Sequence, residues 1–404
     1  MNVSSTSPPA GSGSRPACLI VFKFESRWNH HLIRKLSLAF AVSHVYADDI
    51  FRDGGSSRLT SHLNRLVAEI DPEIVVFDID YYPPLDIELI ESVARARTKI
   101  AVTFDDLVLH DLNSITASAC DLVLSADPLS VLRYREKAIP AEYMPLEGSA
   151  ELYSDQKIPR DIDILHFGVL DKADRREYVD YLVSKGMLIS LYGVGREYVP
   201  IEQLSTYISR AKIVVNFSKT DYLNVLDFGI RHAHPYYLQL KGRVIEAGLC
   251  GAACVSEYAP GLQLLFSEDE VPSFKTKEEC HALLARLLGD EAARHACANR
   301  LSGKVAREFE DGVCMQRIAK SISALPVSRR PLAEVPAAYW RSVARGKLAR
   351  IATNPVLVLR ELCFLVSIGR VGSFPLRLLL MMEMAVWIPW HLTGRAVKRL
   401  AGNS

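Results

Sequence analysis

The chain has 404 residues, 49% of them apolar and 24% charged, and its 48 Lys and Arg against 47 Asp and Glu leave a net charge of +1. That length fits roughly two to three domains. The balance excludes bulk disorder, a collagen-like or disulfide-scaffold chain, and a protein basic along its whole length, such as a general nucleic-acid binder.

Residues 1–16 are rich in Ser, Pro and Gly, carry one charge at Arg15 and lack the apolar core of a signal peptide, which predicts a disordered tail. From Cys18 short apolar runs alternate with amphipathic stretches. Cys18–Phe24, Ile74–Phe77, Lys99–Phe104 and Asp121–Leu124 are long enough for buried strands and too short for helices. Helical patterns fit Asn29–Phe40, Arg58–Ile70, Ile87–Arg97 and Leu129–Lys137. Pro145–Arg160 is polar and aperiodic, and reads as a linker. A second series follows, with strands expected at Asp163–Phe167, Leu188–Tyr192, Ile213–Phe217 and Ala252–Val255. Helices are expected at Arg175–Lys185, Leu204–Ala211, Lys241–Cys250 and from Lys277 to Ile322. Such alternation predicts βαβ units in two consecutive α/β domains, residues 17–150 and 151–326. Ligands of such parallel sheets bind at the carboxyl ends of the strands.

From Val327 the character changes. Twelve Lys and Arg against three Glu give the tail, residues 327–404, a charge of +9 and leave −8 for the rest. Pro355–Val371 and Phe374–Leu392 are rich in Leu, Met and Trp, but Arg360, Glu361, Arg370, Arg377 and Glu383 interrupt them, which disfavours a spanning helix. Basic residues interleaved with Leu and Trp predict amphipathic helices lying on an anionic membrane surface. Packing on the two domains, or on another subunit, is the competing expectation.

The eight cysteines are scattered and none shows C-x-x-C spacing. Cys250 and Cys254 flank Gly251 and read as core residues. Free thiols fit a reducing, cytoplasmic setting. Two DxD patterns occur, Asp78-Ile79-Asp80 after an apolar strand and Asp161-Ile162-Asp163 before one. The first could hold Mg²⁺ in a phosphatase or transferase, but position 82 is Tyr where a phosphatase needs Thr or Val, and the second is more simply a strand entry. No metal site is therefore expected.

Lys241 to Pro260, KGRVIEAGLCGAACVSEYAP, is the most informative stretch. Glu246 lies three residues after Arg243, so both can share a helix face. A carboxylate there can accept both hydroxyls of a ribose, and Lys241 and Arg243 can offset a diphosphate. A surface Arg–Glu pair is the bland alternative. This stretch, with the following EYAPGLQLLF, resembles the signature of group 1-type glycosyltransferases, most closely the CgeB-like group. The resemblance continues through Glu279–Arg300, Asp161–Arg176 and Tyr192-Gly193, covering residues 161–320 well and the first domain in outline.

The resemblance implies a GT-B fold, with two Rossmann-like domains facing across a cleft and the donor nucleotide sugar in the second. It implies transfer without a bound metal or cofactor. Glu246 would hold the ribose, and Lys241 and Arg243 would lie near the diphosphate. Gly168 would admit the donor's close approach, with Lys172, Arg175 and Arg176 as phosphate contacts or a solvated helix face. Tyr192 and Gly193 would border the base, and Glu257, Gly261 and Leu262 would face the sugar or phosphate. One departure stands out. The second Glu of the retaining E-x7-E pattern would fall at position 238, which is Leu. Retention of configuration is thereby put in doubt. The long polar insertion Ser218–Tyr237 could bring Asp221, Arg231, His232 and His234 into the cleft.

An inverting transfer needs a general base from the first domain. His30 and His31 follow the first strand, and Asp105 and Asp106 follow Lys99–Phe104. Each pair is a candidate, against helix capping or packing. The expected activity is sugar transfer from a nucleoside-diphosphate donor to a lipid-linked or surface-polysaccharide acceptor, on the inner face of a membrane. A catalytically idle nucleotide-binding or scaffold protein, or a DxD Mg²⁺-dependent phosphatase or transferase, are the alternatives.

Overall fold

The computed structural model describes residues 15–26, 28–80, 82–93, 97–193, 199–221, 236–325 and 335–367. The first domain runs β1 (Ala17–Phe22), α1 (Asn29–Ser37), β2 (Ala41–Tyr46), α2 (Ala47–Ile70), β3 (Ile74–Asp78), α3 (Ile87–Ser92), β4 (Thr98–Thr103), α4 (Asp106–Ala117), β5 (Leu122–Ser125), α5 (Pro128–Glu136) and β6 (Ala141–Tyr143). Its six strands form one parallel sheet in the order β2-β1-β3-β4-β5-β6. The β1 and β3 runs are apolar nearly throughout because helices cover both faces of the sheet.

The second domain runs β7 (Ile162–Phe167), α6 (Arg175–Ser184), β8 (Ile189–Tyr192), α7 (Ile201–Arg210), β9 (Ala211–Asn216), β10 (Lys219–Asp221), β11 (Tyr236–Leu238), α8 (Arg243–Leu249), β12 (Ala253–Glu257), α9 (Pro260–Leu265), β13 (Ser273–Phe274), α10 (Lys277–Gly289) and α11 (Glu291–Glu308). Its sheet has the order β13-β12-β9-β7-β8, and β10 and β11 pair separately as an antiparallel hairpin. Two α/β domains of the Rossmann type, as expected, are joined by an irregular segment at residues 144–161.

Both sheets reverse their winding direction next to the first strand of the domain, between β1 and β3 and between β7 and β9. That reversal opens a crevice at the carboxyl ends of the strands, since the loops on either side depart in opposite directions.

The chain then returns to the first domain. Helix α12 (Asp311–Ser323) buries Cys314, Met315 and Ile318 against Leu32, Leu36 and Phe40. The tail helices α13 (Ala337–Ile351) and α14 (Pro355–Ser367) bury Tyr339, Trp340, Val343 and Leu348 with Phe51, Leu59, Leu63 and Ile90. The expectation of a tail lying on a membrane is thus corrected for residues 337–367, which cover the first domain instead. Residues 368–404 lie outside the described residues. Among the described residues no helix is long and apolar enough to cross a membrane.

Two charges of these helices, Lys347 and Glu361, point inward. Lys347 is fully buried, with its Nζ 2.6 Å from Asp86, 3.5 Å from Glu361 and 2.7 Å from the Ser56 hydroxyl. Glu361 in turn accepts the backbone N–H of Ser56 at 2.9 Å, where α2 kinks at Gly55 with φ 69°. A side chain at residue 55 would meet that carboxylate.

Candidate active site

A cavity of about 1400 Å³ lies between the domains, walled by the strand ends of both sheets. On the second domain, Phe167 closes β7 and hands the chain to Gly168, at φ 104°. Gly193 plays the same part after β8, at φ 147°, and the Gly168 N–H donates to the Tyr192 carbonyl at 2.8 Å. A Cβ on Gly168 would collide with the Arg243 guanidinium, and one on Gly193 with the Gly168 backbone. The two glycines thus leave room for Arg243 to lie over the Phe167 ring, 5.8 Å from its centre, and to donate to Asn216 Oδ1 at 3.2 Å.

Glu246 sits one turn further along α8, 5% exposed, and its carboxyl is raised to about 8 by burial and by the nearby Glu147 carboxylate. Glu147 comes from the interdomain segment, is also raised by burial, and lies so close over the start of α8 that a side chain at residue 242 would displace its carboxylate. Lys241 donates to Gln239 Oε1 at 2.6 Å. Burial draws its ammonium down to about 8, and Arg175, Arg243 and Lys172 push the same way against Asp105. Gln239 also reaches across the cleft, its Nε2 donating to the Phe104 carbonyl at 2.8 Å.

Gly168, Lys172, Arg175, Tyr192, Gly193, Lys241, Arg243 and Glu246 are therefore gathered on one wall. Arg175 spends its guanidinium on the backbone carbonyls of Val169 and Lys219, at 2.7 and 2.8 Å, so it braces the loop after β7. Four expected donor contacts lie elsewhere. Arg176 is exposed and pairs with Asp171. Glu257 is 1% exposed and ties down the exit of β9, accepting the N–H groups of Ser218 and Lys219 at 2.9 Å each. Gly261 packs on Pro128 of the first domain, and Leu262 is buried in the core. Arg231, His232 and His234 lie outside the described residues, as does the side chain of Asp221.

On the first domain, His30, His31 and Asp105 line the cavity. His31 stacks on Trp28 with centroids 5.8 Å apart. Asp106 does not line it. It is fully buried and receives His110 Nδ1 at 2.7 Å, the Asn113 amide at 2.8 Å and the Tyr134 hydroxyl at 2.6 Å. Burial opposes its ionisation, but these donors outweigh it and hold the carboxyl below its usual range. Asp106 is a structural anion and not the general base it could have been. Asp106→Ala is expected to destabilise the chain by about 3–5 kcal/mol in chemical denaturation, because three buried partners lose their acceptor. A depressed folded pKa adds stability above the unfolded pKa and loses it as pH falls through the folded value, so the penalty should shrink below about pH 4. A constant penalty across that range would remove the ionic role.

Lys23, Asp78 and Asp80 fill the rest of this wall. Asp78 and Asp80, at the end of β3, flank Lys23, just past β1, whose Nζ is 3.3 and 3.6 Å away. An ammonium thus occupies the gap between the DxD carboxylates where the phosphatase alternative needs a metal. Among the described residues no group of His, Cys, Asp and Glu could hold a metal ion.

Residues 174–321 match the family model described as glycosyl transferase-like. No curated protein matches the chain. Among solved structures, sucrose-phosphate synthase from Thermosynechococcus elongatus is 12% identical with a TM-score of 0.55, over 76% of this chain and 99% of that one. HepE from Anabaena, solved in complex with UDP-glucose, is 11% identical with a TM-score of 0.53, over 76% of this chain and 100% of that one. These likenesses show the GT-B fold, and the second domain carries the match to a glycosyl transferase-like family.

Proposed function

We propose that this chain moves a sugar from a nucleoside-diphosphate donor, held by the second domain, to a glycan or lipid-linked acceptor in the first. The observation that carries the reading is the convergence of Lys241, Arg243 and Glu246 on the β7–β9 crevice, facing Gly168 and Gly193. Lys241, Arg243 and Lys172 offer the positive charge a departing diphosphate requires, so the reaction is proposed to need no bound metal. Glu246 offers a buried carboxylate to a vicinal diol. HepE is a GT-B neighbour that was solved with UDP-glucose, which supports a donor of this type. A contact with anionic membrane, if made by the tail, falls to residues 368–404, which keep Trp387, Trp390 and five Lys and Arg against one Glu.

Calorimetry with UDP, GDP and their sugars tests the donor site. Wild type is expected to bind one nucleotide series, and above about pH 8, where the carboxyl is ionised, Glu246→Gln to weaken it about 10- to 100-fold, the cost of losing charged hydrogen bonds to the ribose. Equal affinity in the variant would remove Glu246 from the site.

A further inference from the structure

The first domain's crevice, between β1 and β3, holds a second constellation on the same cavity. Lys23, Asp78, Asp80 and Asp105 all line it. Asp80 is fixed: its carboxylate accepts the Phe104 N–H at 2.9 Å and the Asp105 N–H at 3.3 Å. Asp78 is 3% exposed, and its Oδ1 accepts no hydrogen bond of ordinary geometry although the Lys23 ammonium stands 3.3 Å away. That ammonium is its ionic partner, and both groups line the cavity. The wall is also tied to the proposed donor groups. Asp80 holds the Phe104 N–H, the Phe104 carbonyl receives Gln239, and Gln239 receives Lys241. The carboxylates therefore stand beside the diphosphate side of the cleft.

Resting on the function proposed above, we infer that this cluster binds the acceptor hydroxyl, that Asp80 takes its proton, and that transfer inverts the anomeric carbon. In that step the acceptor oxygen bonds to the anomeric carbon as the bond from that carbon to the phosphate oxygen breaks. The nucleoside diphosphate leaves as an anion against Lys241 and Arg243, and the hydroxyl proton passes to Asp80 and then to water. Leu238, where the retaining pattern has Glu, agrees with a single displacement. Four charged or titratable groups face Asp80, namely Lys23, Asp78, Asp105 and Tyr134. Burial raises its carboxyl to about 7, Asp78 and Asp105 push the same way, and Lys23 opposes them. A base poised there works best near neutrality.

Water can stand in for the acceptor. UDP-glucose, UDP-galactose and UDP-N-acetylglucosamine, all α-linked, would be incubated with the full chain and the first sugar released read by proton NMR before it mutarotates. The β anomer is expected. Asp80→Asn should lose about 10²- to 10⁴-fold in hydrolysis. Its UDP affinity should stay within about two-fold, and the fall in rate below about pH 7 should vanish. Asp78→Asn keeps the base but removes a neighbouring negative charge, so its acid limb should move to lower pH. That shift is readable even if Asp80→Asn fails to fold. An α product, or unchanged limbs in both variants, overturns the inference while leaving the donor site standing. A wild type that binds neither UDP, GDP nor their sugars overturns the proposed function, and this inference with it.

Discussion

Chains ending at Leu325 are expected to be insoluble, and Trp340→Ala in the full chain to lose about 3–5 kcal/mol of stability. Ending at Leu325 removes α13 and α14, whose Tyr339, Trp340, Val343, Leu348 and Ile351 are each at most 2% exposed. A fully buried side chain of this size contributes about 1.5–3 kcal/mol. Together they approach the whole net stability of a typical domain, about 5–15 kcal/mol. The same cut bares Phe51, Leu59 and Leu63 and strands Asp86, which loses Lys347, while Asp48 loses Arg350 but keeps Arg52. A buried carboxylate without its cation costs several kcal/mol more. Solubility, gel filtration and thermal melting read the outcome. A chain ending at Leu325 that melts like the full protein would show these helices to be dispensable. One consequence concerns the membrane. A liposome test by deletion must cut after Ser367, since an earlier cut confounds lost binding with lost folding.

What the sequence made legible follows from how each element is buried. The inner strands β1, β3, β4 and β9 are covered on both faces, so each carries a run of at least three apolar residues, Ile100–Val102 in β4 and Ile213–Val215 in β9. The edge strands are different. β2, Ala41–Tyr46, is partly exposed along most of its length and carries Ser43 and His44, while β6 has three residues, so neither presents such a run. Helix α4 escapes because Asp106, His110 and Asn113 point inward and pair with one another, which breaks the apolar period. The first part of α2 is hidden by Gly54 and Gly55, where the helix kinks. The tail shows a deeper limit. An amphipathic basic helix has the same composition whether its apolar face meets lipid or protein, and only the partners of Lys347 and Arg350 decide.

The two walls of the cleft differed in the same way. Lys241, Arg243 and Glu246 lie within six residues, so one short helix and its entry deliver them together and local spacing reveals them. Lys23, Asp80 and Phe104 meet only because β1, β3 and β4 are adjacent in the sheet. Glu147 reaches the start of α8 from an irregular segment that has no period to read. His31 and Asp105 reached the cavity because they follow strand ends, but the same rule also nominated Asp106. One residue further into α4, its side chain turns into the core.

Gly168→Ala is expected to lower kcat/KM for sugar transfer by about 10²- to 10³-fold while leaving the fold intact. Residue 168 sits at φ 104°, which a side chain tolerates only at a cost of about 1–3 kcal/mol. The new methyl would also fall on the Arg243 guanidinium, which Asn216 and the Phe167 ring hold in place. Arg243 is the end of a flexible side chain, so it would swing aside rather than break the strand. Its charge would then leave the position where, in the proposed reaction, the diphosphate departs. Losing one such preorganised contact costs about 10²- to 10³-fold in rate. The strain would show as a fall of only a few degrees in the melting temperature. A double-mutant cycle separates the two parts. In an Arg243→Ala background the methyl has nothing to displace, so Gly168→Ala should cost far less activity there than in wild type. Equal losses in both backgrounds would mean that Gly168 acts through the backbone alone, and the clash with Arg243 would drop out of the account.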